Sequence, residues 1–432
     1  MPLRVLVLTP IYPWPGDPPE GIFVQRQIRN LVRRGVQCRV INYHPALRHL
    51  PASIAGCSWL RYHPRWLTWP GEQHGIPVAH LFYPRSGNGE DVVPAIARTL
   101  ERFITANSEY RQADVIYAHW LWTGGAVALR LRERFGWPVA AIARGSEMHD
   151  WHGPHPLCRP HVEQVVNHAD LVLANCDGLR RRAAQIARRT AEGIEVVYNG
   201  CNARNFTPSS DKSAARKALG LPLDSKLLLC CASIIPRKGI SELIEAWRVF
   251  ASSRRDWRLV IVGRLVLREL VQRLQQEHSR RIIIVGRVPD DRVARYMQAA
   301  DAYIQPSLLE GLANATMEAM ATGLPVIATD TGGQREAVRA GQNGWLVAPG
   351  DADALVSAMD SMAGNMDEAL QRGTEARKTI QTEFDPMVHT RRLRELLEGL
   401  VRSKDRSATT TASPARAAAL VPVRRNDAVH VA

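Results

Sequence analysis

Two glutamates, Glu310 and Glu318, stand eight residues apart in Pro306-Ser-Leu-Leu-Glu-Gly-Leu-Ala-Asn-Ala-Thr-Met-Glu-Ala-Met-Ala-Thr-Gly-Leu-Pro-Val-Ile-Ala-Thr329. A carboxylate accepts paired hydroxyl hydrogen bonds, so this pair suits a polyhydroxylated ligand. Gly311 turns the chain after Glu310, and a helix is expected to follow. Its free N-terminal amides, around Gly311, Leu312, Ala313, Asn314 and Ala315, favour a diphosphate. Glu310 precedes the helix and Glu318 lies within it, so one can reach a sugar hydroxyl while the other meets a ribose. Taken alone, such a pair also fits a loop glutamate beside a solvated helical one.

A second anion-seeking element is Ile235-Pro-Arg-Lys-Gly-Ile-Ser-Glu-Leu, which follows a strand-like run and opens a helix. Arg237 and Lys238 there are placed to neutralise a departing diphosphate, or else lie on a solvated face. Near the start of the chain, Gly21 begins a helix where a glycine lets backbone approach a ligand closely, unless it only punctuates a turn. His149, His152, His155, Cys158 and His161 invite a metal reading. Pro154, Pro156 and Pro160 prevent one helical face from collecting them, so no metal site is expected. Asp351 and Asp353 directly precede a helix and read as a cap. Trp59, Trp66 and Trp69, with Arg61 and Arg65, suit a membrane interface or a lipid-diphosphate acceptor, and equally a core beneath an insertion.

The elements that must position these residues alternate along the chain. Val5–Thr9, Cys38–Tyr43, Val115–Ala118, Val139–Ala143, Leu171–Ala174 and Glu195–Tyr198 read as buried strands. Helical stretches at Gly21–Arg34, Ala126–Phe135 and Asp177–Arg189 lie between them, which implies a parallel sheet covered by helices. The pattern restarts with strands at Lys226–Ala232, Arg258–Val262, Arg281–Val285, Ala302–Gln305 and Pro325–Thr329, so two Rossmann-type units are expected. An apolar-periodic helix at Phe384–Leu400 could pack on either unit. Beyond it the low-complexity stretch around 408–419 lacks the large apolar residues that offset ordering entropy. The expected divisions are residues 1–207, 208–380, a C-terminal helix at 381–402, and a disordered tail at 403–432.

The chain has 432 residues, ample for two or three domains, with 45% hydrophobic and 23% charged residues. Its longest apolar runs, such as Leu227–Ile235, fall short of the ~20 residues of a membrane helix, and no signal peptide is recognisable, so a cytoplasmic protein is expected. Seven scattered cysteines without a CxxC pair fit reduced thiols. The net charge of +14 favours acidic partners, although lysine supplies only six of the 56 basic residues, so arginine-rich composition accounts for part of it. The arginines are spread along the chain without interleaved aromatics, which argues against nucleic acid.

The segment around Glu310 closely resembles the signature of the retaining glycosyltransferases of the GT-B fold, family 4. Their pattern runs E-G-x-x-N-x-x-x-E-A-M-A-x-G-x-P-V-I. Similar segments flank it: Asp301-Ala-Tyr-Ile-Gln-Pro-Ser, Thr331-Gly-Gly-Gln-Arg-Glu-Ala-Val, Asn343-Gly-Trp-Leu-Val-Ala-Pro-Gly-Asp and Val197-Tyr-Asn-Gly-Cys-Asn. Thr9-Pro-Ile-Tyr-Pro and Gly21-Ile-Phe-Val-Gln-Arg-Gln are particularly like the teichuronic-acid and exopolysaccharide branch. Lys238 and Gly239 match the family's K-G, but Ala232 and Ser233 stand where Gly and Arg are usual, which leaves Arg237 as the candidate substitute.

What the resemblance implies is an α/β protein of the GT-B fold, two Rossmann-like domains facing a central cleft. Its C-terminal domain would hold a nucleotide-sugar donor, with Glu310 on the sugar, Glu318 on the ribose, and Arg237, Lys238 and the amides of 311–315 on the diphosphate. His119 matches a histidine placed against the donor sugar, and Arg144 and Glu147 match a strand-end segment on the acceptor side, as does the loop at Gly21. The implied activity is retaining transfer to a glycan or lipid-linked glycan in polysaccharide biosynthesis, without a metal or other cofactor. A peripheral contact with an anionic membrane, at the inner face of the cell membrane, goes with it. The rival reading is a catalytically silent GT-B scaffold that binds glycan or membrane.

Overall fold

The computed structural model describes residues 2–14, 21–46, 73–84, 91–148, 158–267, 270 and 281–410. The tryptophan-rich stretch 58–70, His149, His152, His155 and the tail beyond 410 lie outside the described residues.

Two parallel sheets form the molecule. The first contains β1 (Arg4–Thr9), β2 (Gln37–Pro45), β3 (Val78–Tyr83), β4 (Val115–His119), β5 (Val139–Ala143), β6 (Leu171–Ala174) and β7 (Ile194–Val196), in the order β3-β2-β1-β4-β5-β6-β7. The second contains β8 (Lys226–Cys231), β9 (Trp257–Val262), β10 (Ile282–Gly286), β11 (Ala302–Gln305), β12 (Val326–Thr329) and β13 (Trp345–Val347), in the order β10-β9-β8-β11-β12-β13. Strands such as Val139-Ala-Ala-Ile-Ala143 are apolar on both faces because helices cover both, and all five of these residues are buried. In each sheet the strand order reverses once, between β1 and β4 and between β8 and β11. Ligands of open α/β sheets bind at such points, outside the carboxyl ends of the strands.

Turn and cap chemistry sets the helix ends. Asp211 accepts from the Ala214 amide at 2.9 Å to start the helix Lys212–Leu219, which Gly220 ends in a left-handed conformation. Asp351 caps Ala352–Gly364 through the Ala354 amide at 2.8 Å, as its position in the sequence suggests. Strand β3 has no counterpart in the sequence reading: His80 interrupts its apolar run, and its 1% exposure shows that the fold buries it nonetheless.

The expected end of the second unit at 380 falls inside the helix Met366–Glu383, and the chain breaks instead at Phe384 and Asp385. The last helix, Pro386–Thr410, runs past the expected boundary at 402. Its Leu393 and Leu397 are fully buried among Val5, Val24, Ile28 and Leu31, so the chain returns to cover the first domain. Apolar periodicity at 386–400 demanded a partner surface, and the helix Ile22–Arg33 supplies it.

Candidate active site

Lys238 ends a short 3₁₀ turn, Pro236–Lys238, just beyond β8, and Glu310 follows β11 on the other side of the switch point. Their side chains form an ion pair, with the Ser307 hydroxyl donating to Glu310 Oε2 at 3.3 Å. Arg237 places its guanidinium 3.8 Å from Glu310 Oε1, so it turns toward the same carboxylate from the turn that carries Lys238. Burial pushes the Glu310 pKa up, but Lys238 and Arg237 outweigh it and hold the carboxyl below its ordinary value. A charged carboxylate flanked by two cations can orient sugar hydroxyls, while the cations can meet a phosphate.

The helix Asn314–Ala321 begins beside this cluster with no side chain capping its N-terminus and no acidic residue in its first turn. Its leading amides and the helix dipole therefore suit an anion. Gly332 closes the far wall at φ 58°, and a Cβ there would lie 1.9 Å from the carbonyl oxygen of Glu310. Only glycine lets the 331–333 loop support the glutamate's backbone so closely. Gly21, also at positive φ (72°), has its missing side chain's space taken by the Ile11 and Tyr12 backbone, with the nearest atom 2.7 Å from an added Cβ. The close approach of that earlier backbone segment requires a glycine here.

His119 ends β4 and is fully buried. The strained turn behind it has Trp120 at φ 67° and Thr123 at φ 63°, and an added Cβ on Gly124 would strike the His119 carbonyl oxygen. Arg144 Nη2 lies 2.9 Å from His119 Nδ1. A guanidinium only donates, so Nδ1 accepts and the imidazole proton sits on Nε2. Burial and the Arg144 charge push the His119 pKa well below its ordinary value, which keeps the ring neutral. His119 thus offers an N–H donor, and Nε2 has no hydrogen-bond partner among the described residues.

Arg144 also donates to Gln27 Oε1 at 2.7 Å and to Asn199 Oδ1 at 2.5 Å, and Asn199 Nδ2 donates to Asn314 Oδ1 at 3.1 Å. This chain of bonds links His119 in the first domain to the donor-site helix in the second. Glu147 accepts from the amides of Arg144 at 2.8 Å, Gly145 at 2.9 Å and Leu121 at 3.4 Å. Burial nonetheless lifts its pKa above the ordinary value. Expected on the acceptor side, Arg144 and Glu147 are both buried beneath the cleft, where they brace His119 and the loop after β5. Cys158 and His161 are engaged elsewhere, with the Glu147 carbonyl and the Asp91 carboxylate respectively.

Glu318 is 7% exposed, and its Oε1 accepts from Arg26 Nη1 at 2.9 Å. Arg26 comes from the helix Ile22–Arg33 of the opposite domain and also pairs with Asp290. Burial works against the Arg26 charge, but Glu318 and Asp290 outweigh it and raise its pKa. Burial raises the Glu318 pKa, and Arg26 opposes that rise only in part. A second carboxylate docks the domains: Glu336 accepts from the Asp177 amide at 2.9 Å, the Gly178 amide at 3.1 Å and the Tyr198 hydroxyl at 2.7 Å. Sequence reasoning missed Arg26, Asn199, Asp290 and Glu336 as parts of the site. Helical periodicity and turn chemistry mark their elements but carry no signal of a partner in the other domain.

The two facing sheets with charges paired across their common crevice have the architecture of the GT-B glycosyltransferases. Residues 21–200 match the model of the glycosyl transferase 4-like domain, and residues 211–379 match that of the glycosyl transferases group 1. The chain belongs to this family of glycosyltransferases. Among curated relatives, TuaC of Bacillus subtilis, named as a teichuronic acid biosynthesis glycosyltransferase, is 26% identical over 89% of this chain and 95% of its own length. The amylovoran biosynthesis glycosyltransferase AmsK of Erwinia amylovora is 27% identical over 70% of this chain and 74% of its own. Among solved structures, Anabaena HepE in complex with UDP superposes with a TM-score of 0.70 at 22% identity, covering 92% of this chain and 100% of its own. Sucrose-phosphate synthase of Thermosynechococcus elongatus superposes with 0.74 at 20% identity, covering 93% of this chain and 100% of its own.

Proposed function

We propose that this protein is a retaining glycosyltransferase that moves a sugar from a nucleoside diphosphate donor to a hydroxyl of a glycan or lipid-linked glycan in polysaccharide biosynthesis. The observation that carries the reading is the Lys238–Glu310 pair, flanked by Arg237 and set beside the uncapped N-terminus of Asn314–Ala321. Relatives named for teichuronic acid and amylovoran biosynthesis support the polysaccharide class.

In this mechanism Glu310 orients the donor sugar and His119 donates a hydrogen bond to it. The bond from the anomeric carbon to the diphosphate oxygen breaks while the acceptor oxygen bonds to the same face of that carbon. The acceptor proton passes to the departing phosphate. Lys238, Arg237 and the helix amides stabilise the charge that collects on the diphosphate, so the protein's own cations serve where a metal would otherwise be needed. Docking of the domains through Glu336 and through Arg26 on Asp290 excludes water from the reacting centre. A lipid-linked acceptor is met at the inner membrane surface in this reading, which the net charge of +14 favours; among the described residues no helix is long and apolar enough to cross a membrane.

A thermal-shift panel of UDP-, GDP- and ADP-sugars, with and without EDTA, tests the donor site. UDP-sugars come first because HepE was crystallised with UDP. A selective shift that survives EDTA is expected, since a ligand at ~100 times its Kd stabilises by ~2.7 kcal/mol. Transfer by Lys238→Ala should fall about 100-fold or more, the size of effect seen when one stabilising donor is removed. If Glu310→Ala transfers sugar as fast as the parent, the silent-scaffold reading replaces this one.

A further inference from the structure

A cavity of about 490 Å³ opens beside the cleft, between the helix Ile22–Arg33 and the two segments where the chain crosses between domains. Arg29 and Arg33 face it from the helix and Arg204 from the first crossing. Among the described residues, none of these three has a carboxylate within ion-pair distance. The two aspartates on the cavity wall are already engaged. Asp290 is paired with Arg26, and Asp385 accepts from the Met387 amide at 2.7 Å. The remaining polar wall is largely amide, from Asn30, Asn202 and Asn205.

Lone surface arginines are ordinary in a chain this rich in them. Three guanidiniums without a carboxylate partner on one concavity, interleaved with side-chain amides from the same two segments, of which Asn30 accepts from Arg33 at 3.5 Å, are a different arrangement. Guanidinium forks match phosphate oxygens, and amides both donate to and accept from hydroxyls. The volume falls within the range of small-molecule sites. Neither Lys238, Arg237 and Glu310 nor the first turn of Asn314–Ala321 lines the cavity, which meets the donor machinery at its edge, through Arg26, Asn199 and Asp290.

We propose that this cavity is a second ligand site, distinct from the donor site, which takes the phosphate ester of a sugar through Arg29, Arg33 and Arg204. The phosphate meets the guanidiniums and the sugar hydroxyls meet the amides. An occupant touches the helix and both crossings at once, so it joins the first domain to the hinge.

Isothermal titration of the full chain with glucose 6-phosphate and ribose 5-phosphate tests this, with glucose and inorganic phosphate as separate arms. At least one sugar phosphate should bind in a 1:1 complex about tenfold or more tighter than inorganic phosphate, and glucose should give no heat. The triple variant Arg29→Ala, Arg33→Ala, Arg204→Ala should weaken that binding about 30-fold or more, as expected for losing charge-assisted hydrogen bonds. Arg33 and Arg204 are exposed, so the double reversal Arg33→Glu, Arg204→Glu keeps the fold and should abolish binding, with an unchanged melting temperature as the check. Arg237→Ala, Lys238→Ala should leave it intact. The proposal fails if inorganic phosphate binds as tightly as the esters or if neither ester binds at about 10 mM. It fails equally if the Arg237, Lys238 variant, rather than the Arg29, Arg33, Arg204 set, removes the binding.

Discussion

Arg26 of the first domain reaches two carboxylates of the second, Glu318 and Asp290. A vicinal diol uses both oxygens of a glutamate, and in this structure Glu318 has given Oε1 to Arg26. On the proposed reading a ribose diol at Glu318 competes with the Arg26 guanidinium for Oε1, and Asp290 remains as the arginine's other partner. Arg26→Ala removes the competitor and also the counter-charge, leaving burial to raise the Glu318 pKa further. The variant should bind nucleotide about tenfold tighter at alkaline pH, worth ~1.4 kcal/mol, and lose that advantage as the pH falls and Glu318 protonates above the ordinary carboxylate range. Calorimetry across that fall in pH checks it, and parent-like affinity at every pH would sink the idea. Glu310, Lys238 and Glu318 could be singled out in the sequence because they sit in contiguous motifs that resemble the family's signature, whereas their spacing alone also fits solvated positions. Arg26 could not, because its partner Glu318 lies 292 residues away and only the apposition of two domains creates the pair.

At the scale of elements, the donor site is a set of loops at strand ends whose spacing tolerates almost no added atoms. Gly332 supports the Glu310 backbone at φ 58° with no room for a methyl group. Gly332→Ala must shift the 331–333 loop or push Glu310 away from Lys238. The expected result is a fall in kcat of about 100-fold with a stability loss of only about 1–3 kcal/mol, the usual cost of strained backbone. Turnover beside a denaturant melt separates the two, and an active but unstable variant would contradict this view of the loop. Most strands were readable because a parallel sheet buried on both faces leaves long apolar runs, as in Lys226–Cys231. Strand β3 was not, because His80 is buried against Trp14, Asn42 and His44 from other segments of the chain rather than by its local pattern.

For the whole molecule, buried imidazoles set the response to acid. Burial pulls the pKa of His44 down to about 4, and burial with the neighbouring His44 pulls that of His80 down to about 3. Both folded values lie below the ordinary 6.5, so the unfolded chain takes up protons that the native state refuses. Their contribution is complete above pH 6.5. As pH falls below it, stability declines by up to about 1.4 kcal/mol per unit for each histidine, until its folded pKa is passed. Urea midpoints at neutral pH and near pH 5 should show the drop, and His80→Phe should reduce it. Equal midpoints for the parent protein would rule out neutral burial of these rings.

The last helix has a consequence for how the protein can be divided. Leu393 and Leu397 belong to the first domain's core, although almost the whole second domain precedes them in the chain. The first domain is completed only by a segment made after the second, so on a ribosome it waits, with an apolar groove uncovered, until the second domain has been made. A gene cut after residue 207 should yield an N-terminal fragment that aggregates alone and is rescued when the remainder is co-expressed. Soluble, monomeric behaviour of the lone fragment would show that the groove closes without its helix. The two crossings, near 199–206 and 384–386, act like a door hung on two pins, which permits a swing but resists a twist.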